Sequence, residues 1–550
     1  MENAIVNIGL VAAVRVKIIF AKKINMTKKL FYVSFLFSSF LSNAQMLDAT
    51  FSTYGINFYN PSTTWDKSGD IFVEQDNSAI VLGNIGPGAK RAIYKVDPNG
   101  NLDTSFGNAG IKITQNQSSH YKIIKLSSGK YLTVGNVGYM YSQNFFIERF
   151  NMDGTLDSTF GNGGRLAVDM GYPATVETID VAYNAVELSD GKIIVCGGAE
   201  YGYPKRRACL LRLNQDGTVD TSFGTNGKFY FTINTGLSQE RVSAMSIFAV
   251  NNKLIVAGIG RITDTSEATN GSNDIFVVRL NLDGTYDTTF GNSGKLIFNL
   301  GNLLEFGNMV QDTSGNFYIT GSATVNNIRE TWVAKINPEG QFVNNFGNNG
   351  VAKRKVVNIP DAGSENSNSI LLGNNGLYVG GTFFFAGNYY ENDWMFMTKF
   401  NFDGTPDLSF GTNGLFRLPT YNSLRRISAM KFDNNKRILI SGDSSHNDRQ
   451  FALARIVLNN ETLNTAETGK KEVPSFYPNP VTDFLYIDLG TESRLENIAL
   501  YSMEGQLVKN LEHTRQDGKI KIDLKSQLSG TYLLRLKYDK KEQIIKVIKK

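Results

Sequence analysis

The chain has 550 residues, enough for one large repeat array or for two to three ordinary domains. Only 19% of the residues are charged, and Gly, Asn, Phe and Tyr are abundant, a composition typical of short strands joined by tight turns. The net charge of +5 is small for this length, and no run of Lys and Arg alternates with aromatic residues, so we expect no nucleic-acid partner.

The N-terminus predicts an export signal. Residues 26–29 (Met-Thr-Lys-Lys) provide a positive start, residues 30–41 are mainly apolar, and residues 42–44 (Ser-Asn-Ala) resemble a small-residue cleavage site. We therefore interpret 26–44 as a signal peptide. Because its apolar part is too short to span a bilayer comfortably, we expect no transmembrane anchor after cleavage. Residues 1–25 share none of these features, and we interpret them as an upstream extension from a wrongly assigned start site.

A short signature, Leu-Asp-x-Ser/Thr-Phe-Gly, occurs seven times in complete or decayed form, most clearly at Leu102–Gly107 and Leu156–Gly161. Successive copies lie 54 to 67 residues apart, and this near-regular period indicates a repeat architecture. Because an active site seldom needs seven copies of one motif, we expect the shared residues to be structural. The anchor phenylalanines are Phe51, Phe106, Phe160, Phe223, Phe290, Phe346 and Phe410.

Four strand-like segments recur in each period. In the third unit they are residues 165–168, 181–188, 192–196 and 208–213, with Asp-Gly turns because Gly tolerates the positive φ that such turns need. An isolated four-stranded sheet is marginal, whereas radial stacking buries both faces of every sheet. The sequence therefore predicts an all-β fold, a seven-bladed β-propeller of four-stranded antiparallel blades over residues 45–459. A linear array of hairpins is the alternative.

The signature and its Asn-x-Asp-Gly lead-in, as at residues 151–154, resemble the delta-60 repeat, a bacterial propeller-type repeat of uncharacterised role. The resemblance covers about residues 47–459 and implies a propeller. Two copies depart from the pattern: the first has Ser52 in place of Gly, and the sixth has Asn344 and Asn345 within the motif.

Export implies an oxidising compartment, so the two cysteines matter. Cys196 and Cys209 lie in apolar segments that look like the two arms of one hairpin, folded about a midpoint between 202 and 203. Directly opposed cross-strand residues can approach closely enough for a disulfide, and we name this pair as a possible one. The alternative is two buried thiols that act as small hydrophobic residues.

The repeat pattern stops near residue 459, and the polar segment 460–472 is predicted to be a linker. Six further strand-like segments follow, and turn signals such as Asp517-Gly518 separate several of them. They predict a small C-terminal β-sandwich over residues 473–550.

Three motifs in this second domain are specific in combination: Phe-Tyr-Pro-Asn-Pro at 476–480, Leu-Tyr-Ser-Met-Glu-Gly-Gln at 500–506 and Leu-Ser-Gly-Thr-Tyr at 528–532, before a lysine-rich end. Together they resemble the type A C-terminal sorting domain of the type IX secretion system of Bacteroidetes. The resemblance implies recognition by the outer-membrane translocon and a secreted, extracellular or outer-membrane surface location. The residues that would carry the signal are Pro478, Asn479, Pro480, Gly505, Gly530, Tyr532, Lys549 and Lys550. The lysines either assist recognition or protect a solvated strand edge.

Residues for metal or covalent chemistry are sparse. The histidines His120, His446 and His513 lie far apart, and no phosphate-binding Gly-rich loop opens a helix, so we expect no cofactor and no resident metal. The Asp-Gly turns, such as residues 151–157, superficially resemble a calcium loop but lack its terminal acidic residue, and calcium is kept as a weaker alternative. A paired-carboxylate hydrolase is a further alternative, because a propeller channel can host one.

The connections between the third and fourth strands vary most among the repeats, and we expect them on one face. Aromatic rings next to Asn and Asp suit carbohydrate stacking or protein contacts. The candidate ligand contacts are Tyr201, Tyr203, Phe384, Tyr389, Tyr390 and Trp394. The alternative is that these rings cap the propeller and shield the blade edges.

The function predicted from these features is a secreted or cell-surface binding or adhesion module for a glycan or protein, not an enzyme. Two alternatives stay open. One is a propeller hydrolase or lyase that acts on a polysaccharide, and the other is a structural surface component without a small ligand.

Overall fold

The computed structural model describes residues 46–52, 55–61, 66–86, 90–139, 142–171, 178–201, 205–233, 240–261, 273–326, 328–356, 363–385, 393–418, 424–444, 450–458, 475–477, 480–488, 495–502, 507–516, 519–538 and 541–550. The predicted extension 1–25, signal peptide 26–44 and linker 460–472 lie outside these ranges. The chain divides into two compact units, residues 1–461 and 462–550, and the division falls in the predicted linker.

The first strands of unit 1 are β1 (Met46–Leu47), β2 (Ile56–Tyr59), β3 (Asp66–Val73), β4 (Ala79–Ile85), β5 (Lys90–Val96), β6 (Ile111–Lys125), β7 (Tyr131–Tyr139), β8 (Ser142–Phe150) and β9 (Arg165–Val168). The next are β10 (Val181–Glu187), β11 (Ile193–Glu200), β12 (Arg206–Leu213), β13 (Lys228–Phe231), β14 (Val242–Val250), β15 (Lys253–Arg261), β16 (Asn273–Asn281) and β17 (Lys295–Phe298). The last are β18 (Asn302–Gln311), β19 (Phe317–Val325), β20 (Ile328–Ile336), β21 (Val351–Arg354), β22 (Gly363–Gly373), β23 (Gly376–Phe385), β24 (Trp394–Phe400), β25 (Leu415–Arg417), β26 (Leu424–Phe432), β27 (Ile438–Ser444) and β28 (Phe451–Val457).

These strands form antiparallel sheets in chain order. Strands β10–β13, β14–β17, β18–β21 and β22–β25 make four sheets of four strands. Strands β3–β9 make one continuous sheet, because the long β6 pairs with β5 through its first half and with β7 through its second half. In the last sheet, β1 and β2 occupy the fourth position beside β28. The described strands of unit 1 thus make seven groups of four positions, which confirms the predicted all-β class. The predicted membership of a unit is wrong by one strand, because residues 165–168 (β9) pair with β8 of the preceding group and not with β10.

Successive groups pack face to face. One buried cluster combines Leu210 of β12 with Val256 of β15 in the next sheet. The last group also meets the first, since Val81 of β4 shares a cluster with Leu453 of β28. Each group therefore has a neighbour on both faces, the arrangement of a β-propeller.

The repeated signature joins each group to the next. Phe160 is buried, and the guanidinium carbon of Arg149 lies 4.6 Å from the centre of its ring. The same arginine donates from Nε to Asp157 at 2.6 Å and from Nη1 to the backbone carbonyl of Gln215 in the following repeat. Gly217 of that repeat has a φ of +83°, and a Cβ there would lie 2.7 Å from the Phe160 ring. The motif is therefore a structural contact between repeats, as its repetition predicts.

This arrangement recurs along the chain. The other arginine–aspartate pairs are Arg212–Asp220, Arg279–Asp287 and Arg455–Asp48, and lysine replaces arginine in Lys95–Asp103 and Lys399–Asp407. The sixth copy has Val343 in place of the aspartate but keeps the backbone hydrogen bond from Val343 N–H to the Lys335 carbonyl, at 3.0 Å. The strand that follows a signature, such as β9, closes the sheet that precedes it.

The first copy of the signature closes the ring. It lies between β1 and β2, which both pair with β28. Arg455 of β28 donates to Asp48 at 2.7 Å, covers the ring of Phe51 and donates to the carbonyl of Pro98 in the first group. The N-terminal segment thus connects the last group to the first.

The predicted opposition of the two cysteines is wrong. In the β11–β12 pair, Cys196 lies opposite Leu210, and Cys209 lies opposite Gly197. This difference of one residue in register puts the two thiols on opposite faces of the sheet, in different core clusters. Both cysteines are free and fully buried, and burial raises the pKa of each thiol.

The described strands of unit 2 are β29 (Ser475–Tyr477), β30 (Phe484–Asp488), β31 (Leu495–Tyr501), β32 (Leu507–Asn510), β33 (His513–Gln516), β34 (Lys519–Asp523), β35 (Gly530–Tyr538) and β36 (Lys541–Lys549). They form two four-stranded sheets, in the orders β29-β30-β34-β33 and β32-β31-β35-β36. Ile487 and Ile522 of the first sheet share a buried cluster with Leu500 and Leu534 of the second. Two sheets around one core is the packing found in β-sandwiches.

Replacement of Arg455 tests the closure. We expect Arg455→Met to lower the free energy of unfolding by about 2 to 4 kcal/mol, because buried Asp48 loses the nearer of its two arginine partners, with Arg437 remaining at 3.0 Å, and the Pro98 carbonyl loses its donor. The matched control is Lys95→Met, since the side chains of Lys95 and Asp103 are 23% and 24% exposed and their pair should contribute about 1 kcal/mol or less. Denaturant titration measures both losses. Equal losses in the two variants would contradict the role given to Arg455.

Thiol labelling tests the cysteine register. We expect the folded protein to resist an alkylating reagent, because both thiols are fully buried. After unfolding without a reductant, intact-mass measurement should show both cysteines labelled. Labelling that requires a reductant would instead show a disulfide and refute the observed register.

Candidate functional site

The first strand of every group carries a β-bulge at an equivalent place. The extra residues are Gly69 and Asp70 in β3, Tyr121 in β6, Tyr183 in β10, Met245 in β14, Gly307 in β18, Asn368 in β22 and Ser428 in β26. A bulge leaves one residue outside the ladder and redirects its side chain. These residues all line one cavity of about 350 Å³ at the centre of the ring.

A glycine in the second strand makes room for the bulge. A Cβ on Gly197 of β11 would lie 2.1 Å from the carbonyl oxygen of Val181, and a Cβ on Gly258 of β15 would lie 2.0 Å from that of Ser243. Any side chain at these positions would push the first strand away. The glycine that recurs near the end of the second strand therefore indicates where the first strand is bulged. The bulged residue is in turn the one that lines the cavity.

Aromatic rings occupy two sides of the cavity. The ring centres of Tyr121 and Tyr183 are 5.3 Å apart, and Tyr121 is 45% exposed. On another side, the guanidinium of Arg426 lies 5.0 Å from the ring centre of the half-buried Phe384, and Asp393 holds Arg426 at 2.7 Å. Aromatic faces that border a cavity can stack on apolar parts of a ligand.

Asparagine amides supply much of the polar wall. The lining asparagines are Asn84, Asn184, Asn308 and Asn368. Asn184 and Asn308 each accept the backbone N–H of the following residue, at 2.9 and 2.8 Å, and Asn368 donates to the carbonyl of Ile427 at 2.9 Å. Because an amide can both donate and accept, such fixed groups suit ligands that carry hydroxyls.

One charged part of the wall is a cluster of one carboxylate and two lysines. Nζ of Lys122 lies 3.0 Å from Asp70, which also accepts the backbone N–H of Ile123 at 3.2 Å. Burial raises the pKa of Asp70, but the charges of Lys122 and Lys431 outweigh it and hold that pKa below its ordinary value. The charge of Lys122, together with burial, lowers the pKa of Lys431 to about 8.

The predicted ligand contacts have different surroundings. Phe384 lines the cavity, whereas Tyr201 is half-buried and donates its hydroxyl to Glu240 at 3.0 Å. The prediction for Trp394 is wrong: it is 4% exposed and stacks on Phe383, with ring centres 5.1 Å apart, because β24 is buried along its whole length. Tyr203, Tyr389 and Tyr390 lie outside the described residues.

Sequence reasoning missed the cavity residues Tyr121, Tyr183, Lys122, Arg426 and Lys431. The inner strands alternate like any other strand, so nothing in them marks which residue leaves the ladder. The signal that could have found them is the recurrent glycine on the neighbouring strand.

The other predicted sites can also be located. The carboxylate of Asp153 accepts the backbone N–H and the hydroxyl of Thr155, at 2.9 and 2.6 Å, and so stabilises its own turn. Within the described ranges, no group of three or more His, Cys, Asp or Glu is positioned to hold a metal.

In that same part of the chain, no helix is long and apolar enough to cross a membrane.

Five of the eight residues of the predicted sorting signal lie within the described ranges. Tyr532 is half-buried and donates its hydroxyl to the carbonyl of Leu528 at 2.9 Å. Pro480, Gly530 and Lys550 are exposed, and Lys549 is half-buried. Pro478, Asn479 and Gly505 lie outside the described residues.

A buried carboxylate lies beside the connection that carries Tyr201. Asp180 is fully buried and accepts the backbone N–H groups of Met170, at 2.8 Å, and Glu200, at 3.2 Å. Burial and the neighbouring Asp169 raise the pKa of Asp180 to about 7. Its charge state therefore changes within the ordinary range of pH.

Two family models match parts of the chain. Residues 475–550 match the secretion system C-terminal sorting domain. Residues 126–160, 188–223 and 251–290 match a beta-propeller domain of unknown function (DUF5122), and each match ends at an anchor phenylalanine. The sorting domain and the propeller predicted from the sequence are thereby confirmed, and the protein is secreted or displayed at the cell surface. The delta-60 and Bacteroidetes assignments stay predictions.

Several solved structures are similar at low identity. Drosophila Plexin A, in complex with Semaphorin 1b, is 10% identical over 74% of this chain and 86% of its own, with a TM-score of 0.39. The polysaccharide lyase Uly1 is 7% identical over 75% of this chain and 92% of its own, with a TM-score of 0.40. The endo-arabinase from Bacteroides thetaiotaomicron is 12% identical over 55% of this chain and 99% of its own, with a TM-score of 0.29. No curated protein matches the sequence.

The raised pKa of Asp180 predicts a pH-dependent stability. Between about pH 4 and about pH 7 the folded state keeps a proton that the unfolded state has released, so a rise in pH through this window destabilises the protein. Asp180→Asn should remove this part of the dependence, and the exposed turn variant Asp190→Asn should keep it. Thermal unfolding at a series of pH values measures the effect. An unchanged slope in Asp180→Asn would refute it.

Proposed function

We propose that this secreted or cell-surface protein is a binding module that takes a glycan into the cavity of its propeller. The observation that carries the proposal is the Tyr121–Tyr183 pair, with ring centres 5.3 Å apart, in a cavity that all seven first strands line. A rigid ring of sheets fixes both tyrosines, so little ordering is needed when a ligand enters.

The chemistry of the wall suits a sugar. Aromatic faces cover the C–H face of a pyranose, and fixed asparagine amides bond its hydroxyls. The volume of about 350 Å³ lies within the range of small-molecule sites, roughly 300–1,000 Å³, and would admit the end of a chain or a short oligosaccharide.

The side chains of the cavity wall suit ligand binding better than they suit glycoside hydrolysis. Glycoside hydrolysis uses two carboxylates that flank the scissile bond. Among the described residues of the wall, Asp70 is the one carboxylate, and Lys122 and the backbone of Ile123 hold it. This supports a binding function over the hydrolase alternative.

The variable connections extend the same site in this proposal. Phe384 lies on the cavity wall near the end of β23, and the connection that carries Tyr389 and Tyr390 follows directly. We also propose these two tyrosines, and Tyr203 in the β11–β12 connection, as ligand contacts.

A glycan array with matched variants tests the proposal. We expect Tyr121→Ala and Tyr183→Ala each to weaken binding about tenfold, because each removes a stacking face. The control is Phe402→Ala, which removes an aromatic ring that is 43% exposed and lies outside the cavity wall. Equal binding by the unmodified protein and all three variants would exclude the cavity as the binding site. Release of a shorter product from the glycan would favour the enzyme alternative.

A further inference from the structure

The charges on the cavity wall do not balance. The charged lining residues are Lys67, Asp70, Lys122, Arg426 and Lys431. Asp70 neutralises Lys122, at 3.0 Å, and Asp393 neutralises Arg426 from outside the wall, at 2.7 Å. Asp70 also attracts Lys431, so one carboxylate serves two lysines and the described part of the wall carries a surplus of positive charge.

The position of Lys431 makes this surplus costly in the free protein. Lys431 is half-buried, and the charge of Lys122 acts on it more strongly than the attraction of Asp70. Two ammonium groups that share one carboxylate in a partly desolvated cavity repel each other, since burial weakens the screening by water. An anion beside Lys431 would relieve that repulsion and gain a charge-assisted hydrogen bond.

We propose that the glycan of the proposed function is acidic and that Lys431 and Lys122 bind its carboxylate or sulfate groups. The inference rests on the proposed function and assigns its ligand class. The Tyr121–Tyr183 pair would cover a sugar ring while the lysine pair binds the acid group on that ring or on its neighbour. Uronate and sulfate ester offer the same negative oxygens to an ammonium group, so the experiment has to separate them.

Calorimetric titration of the full chain with three polymers tests the ligand class. Polygalacturonate carries carboxylates, dextran sulfate carries sulfate esters, and dextran is neutral. We expect binding to at least one acidic polymer, weaker binding at higher salt and none to dextran. Binding to polygalacturonate alone assigns a uronate ligand, and binding to dextran sulfate alone assigns a sulfated one.

Variants at Lys431 test the site. Lys431→Met should weaken acidic-polymer binding about tenfold, because it removes one charge-assisted contact. It should not unfold the protein, since it removes a repulsion. Lys431→Arg keeps the charge and should retain binding. The matched control is Lys436→Met, which makes the same charge change at an exposed turn between β26 and β27 and should bind as the unmodified protein does.

Each remaining outcome overturns the inference. Equal affinity of Lys431→Met and the unmodified protein for acidic polymers would place that binding outside the lysine pair. Binding of a neutral glycan that Tyr121→Ala weakens and Lys431→Met does not would refute the acidic class and leave the proposed function standing. Binding of no glycan, acidic or neutral, would refute both.

Discussion

The contact on which the propeller depends is an arginine that lies between an anchor phenylalanine and the next repeat, and four copies of the signature make it. Arg149 is typical: it covers the anchor Phe160, pairs with Asp157 of the same signature and reaches the backbone carbonyl of Gln215 in the next repeat. The ring and the guanidinium exclude water from each other, so the ion pair and the apolar contact strengthen one another. Arg212, Arg279 and Arg455 likewise donate to a backbone carbonyl of a neighbouring repeat, so adjacent sheets are joined at equivalent places around the ring.

The residues of the cavity wall can vary between repeats because strand pairing does not constrain them. A bulged residue makes no ladder hydrogen bond, so its identity does not affect sheet pairing. Tyr121, Tyr183, Met245, Gly307 and Asn368 occupy equivalent places, and their side chains range from aromatic rings to a thioether, a hydrogen and an amide. The signature contacts between sheets are therefore repeated, whereas the bulged residues of the first strands differ from one group to the next.

The local sequence pattern predicts the fold but does not predict the residues of the cavity. The anchor phenylalanines and the strands around Cys196 and Cys209 follow from period and alternation, because burial on both faces demands apolar residues there. Register does not follow: a shift of one residue in the β11–β12 hairpin moved the two thiols to opposite faces. Trp394 was expected in a loop because it ends an aromatic polar run, yet it begins the fully buried β24. The wall residues depend on seven distant segments that meet at one axis, which no single segment encodes.

The closure has a consequence for how the chain can be rearranged. Met46 is paired with Val457, so the two ends of the propeller are neighbours in one strand pair. A short peptide could join them, and the chain could then begin at any junction between groups, for example between β13 and β14. Such a circular permutant would keep every contact between repeats and move the free ends to the chosen junction, away from Arg455 and Asp48.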